Sequence, residues 1–120
     1  MHYKDFFQDA TITLMGLGIL GRGVGDAKFL AEHCKHLIVT DVKSEEELKD
    51  SIAQLKDFSN ITFRLGEHVL KDFENVDMII KSASVPLVTP YTTHAEENNI
   101  PIYMSTALFA RFFKGKIIGI

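Results

Sequence analysis

The sequence predicts a Rossmann-like α/β domain of three layers, in which helices cover both faces of a parallel sheet of about five strands. Short apolar runs alternate with helical stretches along the chain, and this alternation is typical of βαβ units. A glycine cluster follows the first apolar run, as in folds that bind a phosphate at a helix start. With 120 residues, the chain is long enough for one hydrophobic core.

Five apolar runs are predicted to be the strands of this sheet, and a sixth ends the chain. They read TITLM (11–15), HLIVT (36–40), ITFRL (61–65), DMIIKS (77–82), IPIYM (100–104) and KIIGI (116–120). The last run stops with no helix or loop after it to bury it. We therefore expect residues 1–115 to form the domain and residues 116–120 to be the first strand of a following domain in a longer protein.

Apolar residues at helical spacing predict the connecting helices. The first helix opens within the glycine cluster and continues to residue 33. Ser44 and Glu47 read as a capping box at the start of a second, amphipathic helix over 44–58. A short third helix is predicted at 66–73, a fourth from Pro90 to Asn99, and a fifth over 105–113, with the proline suited to the first helical turn.

Composition and charge exclude several classes of protein. The net charge of −3, without a basic block, argues against a nucleic-acid module. The apolar runs are far shorter than the roughly 20 residues of a membrane-spanning helix. The lone Cys34 cannot form an internal disulfide, and the N-terminus lacks the features of a signal peptide. We expect a cytoplasmic protein that uses neither membrane nor nucleic acid.

Gly16, Gly18 and Gly21 form a G-x-G-x-x-G motif between a strand and a helix, where backbone N–H groups can approach a diphosphate. Asp41 closes the second strand twenty residues after Gly21, and an acid there binds the ribose of NAD in dinucleotide-binding folds. Two other readings stay open, namely a purely structural glycine turn and an acid that only ends its strand.

The loop KSASVPLVTP, residues 81–90, should meet the glycine turn and Asp41 in one crevice at the carboxyl ends of the strands. Its Ser82 and Ser84 can donate to phosphate or sugar oxygens, or can simply be solvated loop residues. His33, Cys34 and His36 lie close together in AEHCKHL. Histidines near the carbonyl groups at a helix end are common, and this explains the cluster better than a metal site does. His68 and His94 have no partner in register, and no reaction centre is apparent.

The strings TITLMGLGILGRG, VTDVK, IIKSASVPLVTP and NNIPIYMSTALFARFFKGKIIGI, in this order, resemble the N-terminal domain of the Mur ligases, most closely the branch that adds D-glutamate. That domain binds the UDP part of UDP-N-acetylmuramoyl-L-alanine. The resemblance implies that the glycine turn holds the diphosphate and that two later loops frame the uracil. The implied UDP-binding residues are Gly18, Ile19, Leu20, Gly21, Asp41, Val42, Lys43, Ser82, Ala83 and Ser84.

The chain departs from the family pattern at several of these positions. Leu20 stands where relatives often have Ser or Thr, so backbone N–H groups must suffice there. Lys43 replaces a stacking Arg and offers a point charge instead of a planar group. Ala83 and Ser84 replace a Pro-Gly pair, whereas Pro86 fits the pattern.

The resemblance also implies the activity of the parent enzyme. ATP, with Mg²⁺, phosphorylates the substrate carboxylate, and the amine of D-glutamate attacks the acyl phosphate in peptidoglycan precursor synthesis. Residues 1–120 are expected to bind neither ATP nor Mg²⁺, to carry no catalytic residue and to have no ligase activity alone. Two alternatives remain: an NAD-binding domain of a dehydrogenase or regulatory module, and a non-catalytic interaction domain.

Overall fold

A computed structural model describes residues 7–17, 22–82 and 88–104. The described residues contain nine helices and strands: β1 (Thr11–Met15), α1 (Arg22–His33), β2 (His36–Asp41), α2 (Lys49–Ala53), β3 (Ile61–Leu65), a 3-10 helix (Leu70–Phe73), β4 (Met78–Lys81), α3 (Pro90–Glu97) and β5 (Ile102–Met104). The predicted alternation of strands and helices is confirmed.

The five described strands form one parallel sheet in the order β3-β2-β1-β4-β5. The chain builds outward from β1 to β2 and β3 on one side, then crosses to β4 and β5 on the other. The strand order therefore reverses beside β1, and in such sheets ligands bind outside the carboxyl ends of the strands at that point. The predicted Rossmann-like class and the strand number are both confirmed.

The two faces of the sheet are covered by different elements, because successive strand residues point to opposite sides. Ile12 and Leu14 pack in one buried cluster with Leu30 of α1, whereas Met15 packs with Phe73 and Ala95 on the other face. The first face carries α1 and the chain around α2, and the second carries the 3-10 helix and α3. These are the three layers that the sequence predicts.

The second helix is shorter than predicted, five residues instead of fifteen. The predicted capping box is present, since Ser44 N donates to Glu47 Oε1 at 3.0 Å and Glu47 N donates to Ser44 Oγ at 3.2 Å. After α2, however, the N–H groups of Leu55 and Phe58 donate to carbonyls three residues back instead of four. The apolar spacing correctly indicates which side chains are buried. It does not predict where the regular α-helix ends, which is before residue 58.

The predicted helix over 66–73 is also wrong in its first half. Gly66 has a φ of +91°, which ends regular structure and favours glycine, and its N–H donates to Lys43 O at 2.9 Å. Gly66 and His68 therefore bond to the segment after β2 and to the end of β2, and helical turns begin at Leu70.

The fourth predicted helix is confirmed from Pro90 to Glu97, with the proline in the first turn. Thr89 caps it through a reciprocal pair of hydrogen bonds with Thr92. It ends before Asn99, whose φ of +61° leaves the helical region. The predictions for 105–113 and 116–120 lie outside the described residues. Among the helices of the described ranges, none has the length and apolarity that crossing a bilayer requires.

Candidate functional site

The carboxyl ends of β1, β2 and β4 lie side by side, and main-chain hydrogen bonds join the segments that leave them. Gly16 N donates to Thr40 O at 2.8 Å, and Ser82 N donates to Met15 O at 3.0 Å. Gly16 has a φ of +97°, a conformation that favours glycine over any residue with a side chain. The start of the glycine turn, the end of β2 and the start of the 81–90 loop therefore meet at one edge of the sheet.

Asp41 holds two main-chain groups at this edge. Its Oδ2 accepts from Leu17 N at 2.8 Å, and its Oδ1 accepts from Lys43 N at 2.9 Å. The residue is 5% exposed, so its carboxylate interacts mainly with protein groups and little with water. A carboxylate that accepts N–H groups from two segments fixes their separation, and such charge-assisted bonds are stronger than neutral ones. Asp41 therefore fixes the beginning of the glycine turn against its own loop.

The other predicted site residues that the structure describes have different exposures. Val42 is 61% exposed, whereas Lys43 and Ser82 are half-buried. All three lie beside Asp41 or Met15 at the carboxyl edge. The remaining predicted residues, Gly18, Ile19, Leu20, Gly21, Ala83 and Ser84, lie outside the described residues.

The sequence did not indicate His68, which the structure brings to the same edge. Thr40 Oγ1 and His68 Nδ1 are hydrogen-bonded at 2.7 Å. The ring packs edge-on against Phe73 and Tyr91, with centroids 6.2 Å and 5.1 Å away. Burial lowers the pKa of His68, and the nearby carboxylates of Asp41 and Asp72 oppose that shift. The expectation that His68 has no partner is therefore wrong.

A polar brace supports this edge from the second face of the sheet. Arg64 Nε and Nη2 donate to the Asp72 carboxylate at 3.0 Å and 3.3 Å, and Thr13 Oγ1 donates to Asp72 O at 2.6 Å. Asp72 is 3% exposed, so its charge is balanced by the guanidinium of Arg64 and not by water. The brace fixes the 3-10 helix to β1 and β3, immediately after the segment that carries His68.

His36 and Cys34, which follow the end of α1, lie in environments that do not favour metal binding. His36 Nε2 is hydrogen-bonded to Thr62 Oγ1 at 2.8 Å. Burial raises the pKa of the Cys34 thiol to about 11, so the thiolate that a metal needs is disfavoured. His94, also expected to lack a partner, pairs with Glu74 at 2.8 Å. In the described ranges, no group of three or more His, Cys, Asp or Glu could hold a metal ion.

The parallel sheet, its order reversal at β1 and the meeting of three loops there define a Rossmann-like α/β domain. A crystal structure of a putative methyltransferase from Pseudomonas syringae shares this fold, with a TM-score of 0.50 and 14% identity, over 77% of this chain and 56% of that one. No family model matches the sequence.

Sequence relatives give a more specific likeness. A UDP-N-acetylmuramoylalanine--D-glutamate ligase from Borreliella afzelii is 37% identical over 117 residues, which are 97% of this chain and 25% of the ligase. The ligase of the same description from Treponema pallidum is 35% identical over 121 residues, covering 98% of this chain and 22% of the ligase. The chain is homologous to the N-terminal quarter of these ligases. It spans about a quarter of the length of the curated relatives that it matches.

Proposed function

We propose that the chain is the UDP-binding domain of a cytoplasmic ligase that adds D-glutamate to UDP-N-acetylmuramoyl-L-alanine during peptidoglycan precursor synthesis. The observation that carries this proposal is the 35–37% identity to D-glutamate ligases over almost the whole chain. The Rossmann-like sheet supports it, because the carboxyl edge of such a sheet is where nucleotides bind.

The proposed site residues have different tasks. Leu17 N already donates to Asp41, so the amides that bind the diphosphate are those of Gly18, Ile19, Leu20 and Gly21. The start of α1 follows directly, and its positive end favours the same anion. The exposed side chain of Val42 gives the uracil an apolar flank, and Lys43 adds a positive charge. On the other side of the uracil, the proposed contacts come from Ser82, Ala83 and Ser84.

The ligase reaction belongs to the longer parent protein. There, ATP and Mg²⁺ activate the carboxylate of UDP-N-acetylmuramoyl-L-alanine, and D-glutamate supplies the amine. Residues 1–120 bind the UDP part without these cofactors and do not catalyse ligation. Phosphate release from ATP, dependent on D-glutamate and catalysed by residues 1–120, would contradict this division of tasks.

Binding of NAD is the alternative that the glycine motif and Asp41 leave open. In an NAD site, the acid at the end of β2 directs its carboxylate at the ribose hydroxyls. Here each Asp41 oxygen already accepts a main-chain N–H, and 5% of the residue is exposed. That arrangement favours an inward structural role for Asp41 and therefore the UDP reading.

Titration of ¹⁵N-labelled protein with UDP, and separately with NADH, tests the proposal. We expect UDP to shift the amide signals of Leu17, Val42, Lys43 and Ser82, while signals at the opposite edge, such as Ile61, stay in place. NADH should have no such effect. Shifts with NADH and none with UDP would refute the proposal in favour of the NAD alternative.

A pair of lysine variants sharpens this test. Lys43→Ala should weaken UDP binding, because it removes the charge proposed to lie beside the nucleotide. Lys56→Ala removes an equal charge from an exposed turn on the chain after α2 and should leave the affinity unchanged. Equal affinities for both variants, measured by calorimetry, would remove Lys43 from the site.

A further inference from the structure

The end of β2 connects three segments of the chain through two consecutive residues. Thr40 O accepts from Gly16 N, and Asp41 Oδ2 accepts from Leu17 N, both at 2.8 Å. Since consecutive strand residues point to opposite faces, Thr40 directs its hydroxyl away from Asp41. That hydroxyl is hydrogen-bonded to His68 Nδ1. The imidazole therefore supports, from the second face, the same strand end that holds the glycine turn.

The second nitrogen of the His68 ring is open to a proton from solvent. In residues 7–17, 22–82 and 88–104, no hydrogen bond to His68 Nε2 is present, and no buried polar side-chain atom lacks a partner. Nε2 therefore reaches water, although the residue as a whole is half-buried. The imidazolium carries a proton on each nitrogen, so in that form Nδ1 donates to Thr40 Oγ1 while Nε2 faces water, and the contact with Thr40 is kept.

The groups that face the ring come from four elements. Asp41 lies at the end of β2, Asp72 lies on the 3-10 helix, Arg64 of β3 is paired with Asp72, and the phenol of Tyr91 lies on α3. Burial outweighs the two carboxylates and keeps the ring neutral at pH 7. A further negative charge near Asp41 shifts that balance toward the imidazolium.

We propose that His68 is a positioning residue of the nucleotide site and that its ring takes up a proton when a nucleoside diphosphate binds. The inference rests on the proposed function, because it needs a diphosphate at the glycine turn. His68 acts through Thr40 on the turn geometry, and through its charge on the pH dependence of binding. The neutral ring of the unliganded protein becomes a cation that offsets part of the charge of the diphosphate.

The test measures affinity for UDP-N-acetylglucosamine by calorimetry at pH 6, 7 and 8, in two buffers with different ionisation enthalpies. This probe is preferred because the terminal phosphate of UDP itself titrates at about pH 6. We expect net proton uptake and binding that is about threefold or more tighter at pH 6 than at pH 8, since each unit of pKa increase changes affinity by up to about tenfold.

Two variants separate the two roles of His68. His68→Gln keeps a group that can bond to Thr40 but cannot titrate, so it should bind the probe with the same affinity at pH 6 and pH 8. Thr40→Val removes the hydroxyl and keeps the imidazole, so binding should weaken at every pH while its pH dependence remains. Circular dichroism verifies that each variant is folded.

His36→Gln is the matched control, because His36 lies at the opposite end of β2 from Thr40 and is hydrogen-bonded to the hydroxyl of Thr62 on the neighbouring strand β3. It should bind as the unsubstituted chain does, with the same pH profile. A His68→Gln profile equal to that of the unsubstituted chain, or no proton uptake by that chain, would overturn the proton step. Unweakened binding by Thr40→Val would overturn the positioning role. Absence of probe binding at every pH would instead refute the proposed function.

Discussion

Replacing Asp41 with Asn tests the role of this carboxylate with the smallest change of shape. In the structure the two carboxylate oxygens accept from two different main-chain groups, Leu17 N at 2.8 Å and Lys43 N at 2.9 Å. An asparagine offers one oxygen and one NH₂ group in their place. One of the two N–H groups would then face another donor, and the surviving bond would lose its charge.

The size of the effect follows from the burial of the site. Asp41 is 5% exposed, so water cannot easily replace the lost acceptor. A bond to a charged group contributes about 1.5–3 kcal/mol, and a buried donor without a partner costs about 1–3 kcal/mol. We expect Asp41→Asn to lower the free energy of unfolding by about 2–3 kcal/mol, which for a chain of this length lowers Tm by about 8–12 °C.

Urea unfolding followed by circular dichroism measures this difference directly, provided that the slope against urea stays the same. Asp57→Asn is the control, because Asp57 is exposed in the turn after α2. It should change the free energy of unfolding by less than about 0.5 kcal/mol. If Asp41→Asn unfolds at the same urea concentration as the control, the carboxylate does not hold the glycine turn in place.

Three further predictions concern the cap of α3, His68 and Cys34. Thr89→Ala should cost about 1 kcal/mol in urea unfolding, because it removes the acceptor for Thr92 N, while the exposed Thr93→Ala should be nearly neutral; equal stabilities would contradict the cap. The folded pKa of His68 is below its ordinary value of 6.5, so the unfolded chain binds more protons and stability should fall as pH drops below 6.5. His68→Gln should reduce that fall, and an unchanged pH profile of Tm would refute it. The pKa of Cys34 is raised from 9.0 to about 11, so iodoacetamide at pH 8 should alkylate the folded chain about 100-fold more slowly than the chain in urea, and equal rates would contradict the burial.

Hydrophobic patterning predicted most of the fold because it reports which residues are buried. The runs at 11–15 and 61–65 are strands with the predicted bounds, and the helix after the glycine cluster ends at His33 as predicted. The same patterning overestimated α2, since Leu48 and Leu55 are both fully buried yet lie outside its five helical residues. Burial can be read from the sequence, whereas the hydrogen bonds of Leu55 and Phe58 depend on how the loop packs.

The candidate site was predictable where a motif carries it and not where tertiary contacts do. Gly16 and Asp41 were found from their positions, the glycine directly after β1 and the aspartate at the end of β2. The contact between Thr40 and His68 joins residues that are 28 positions apart, one before β3 in the chain and one after it. No local sequence pattern indicates such a contact. The sequence also did not predict that Asp41 accepts hydrogen bonds from two main-chain N–H groups. A sequence motif specifies the type of a residue but not the direction in which its oxygens point.

The unequal sizes of the two buried clusters in the described residues have a consequence for local unfolding. In the described ranges, the cluster beneath α1 holds many more large buried side chains than the cluster of Met15, Phe73, Ile79, Ala95 and Ile100 beneath α3. Local unfolding follows the part of a structure with fewer apolar contacts. Among the described residues, deuterium should therefore enter the amides of α3 and the 3-10 helix well before those of β1 and α1.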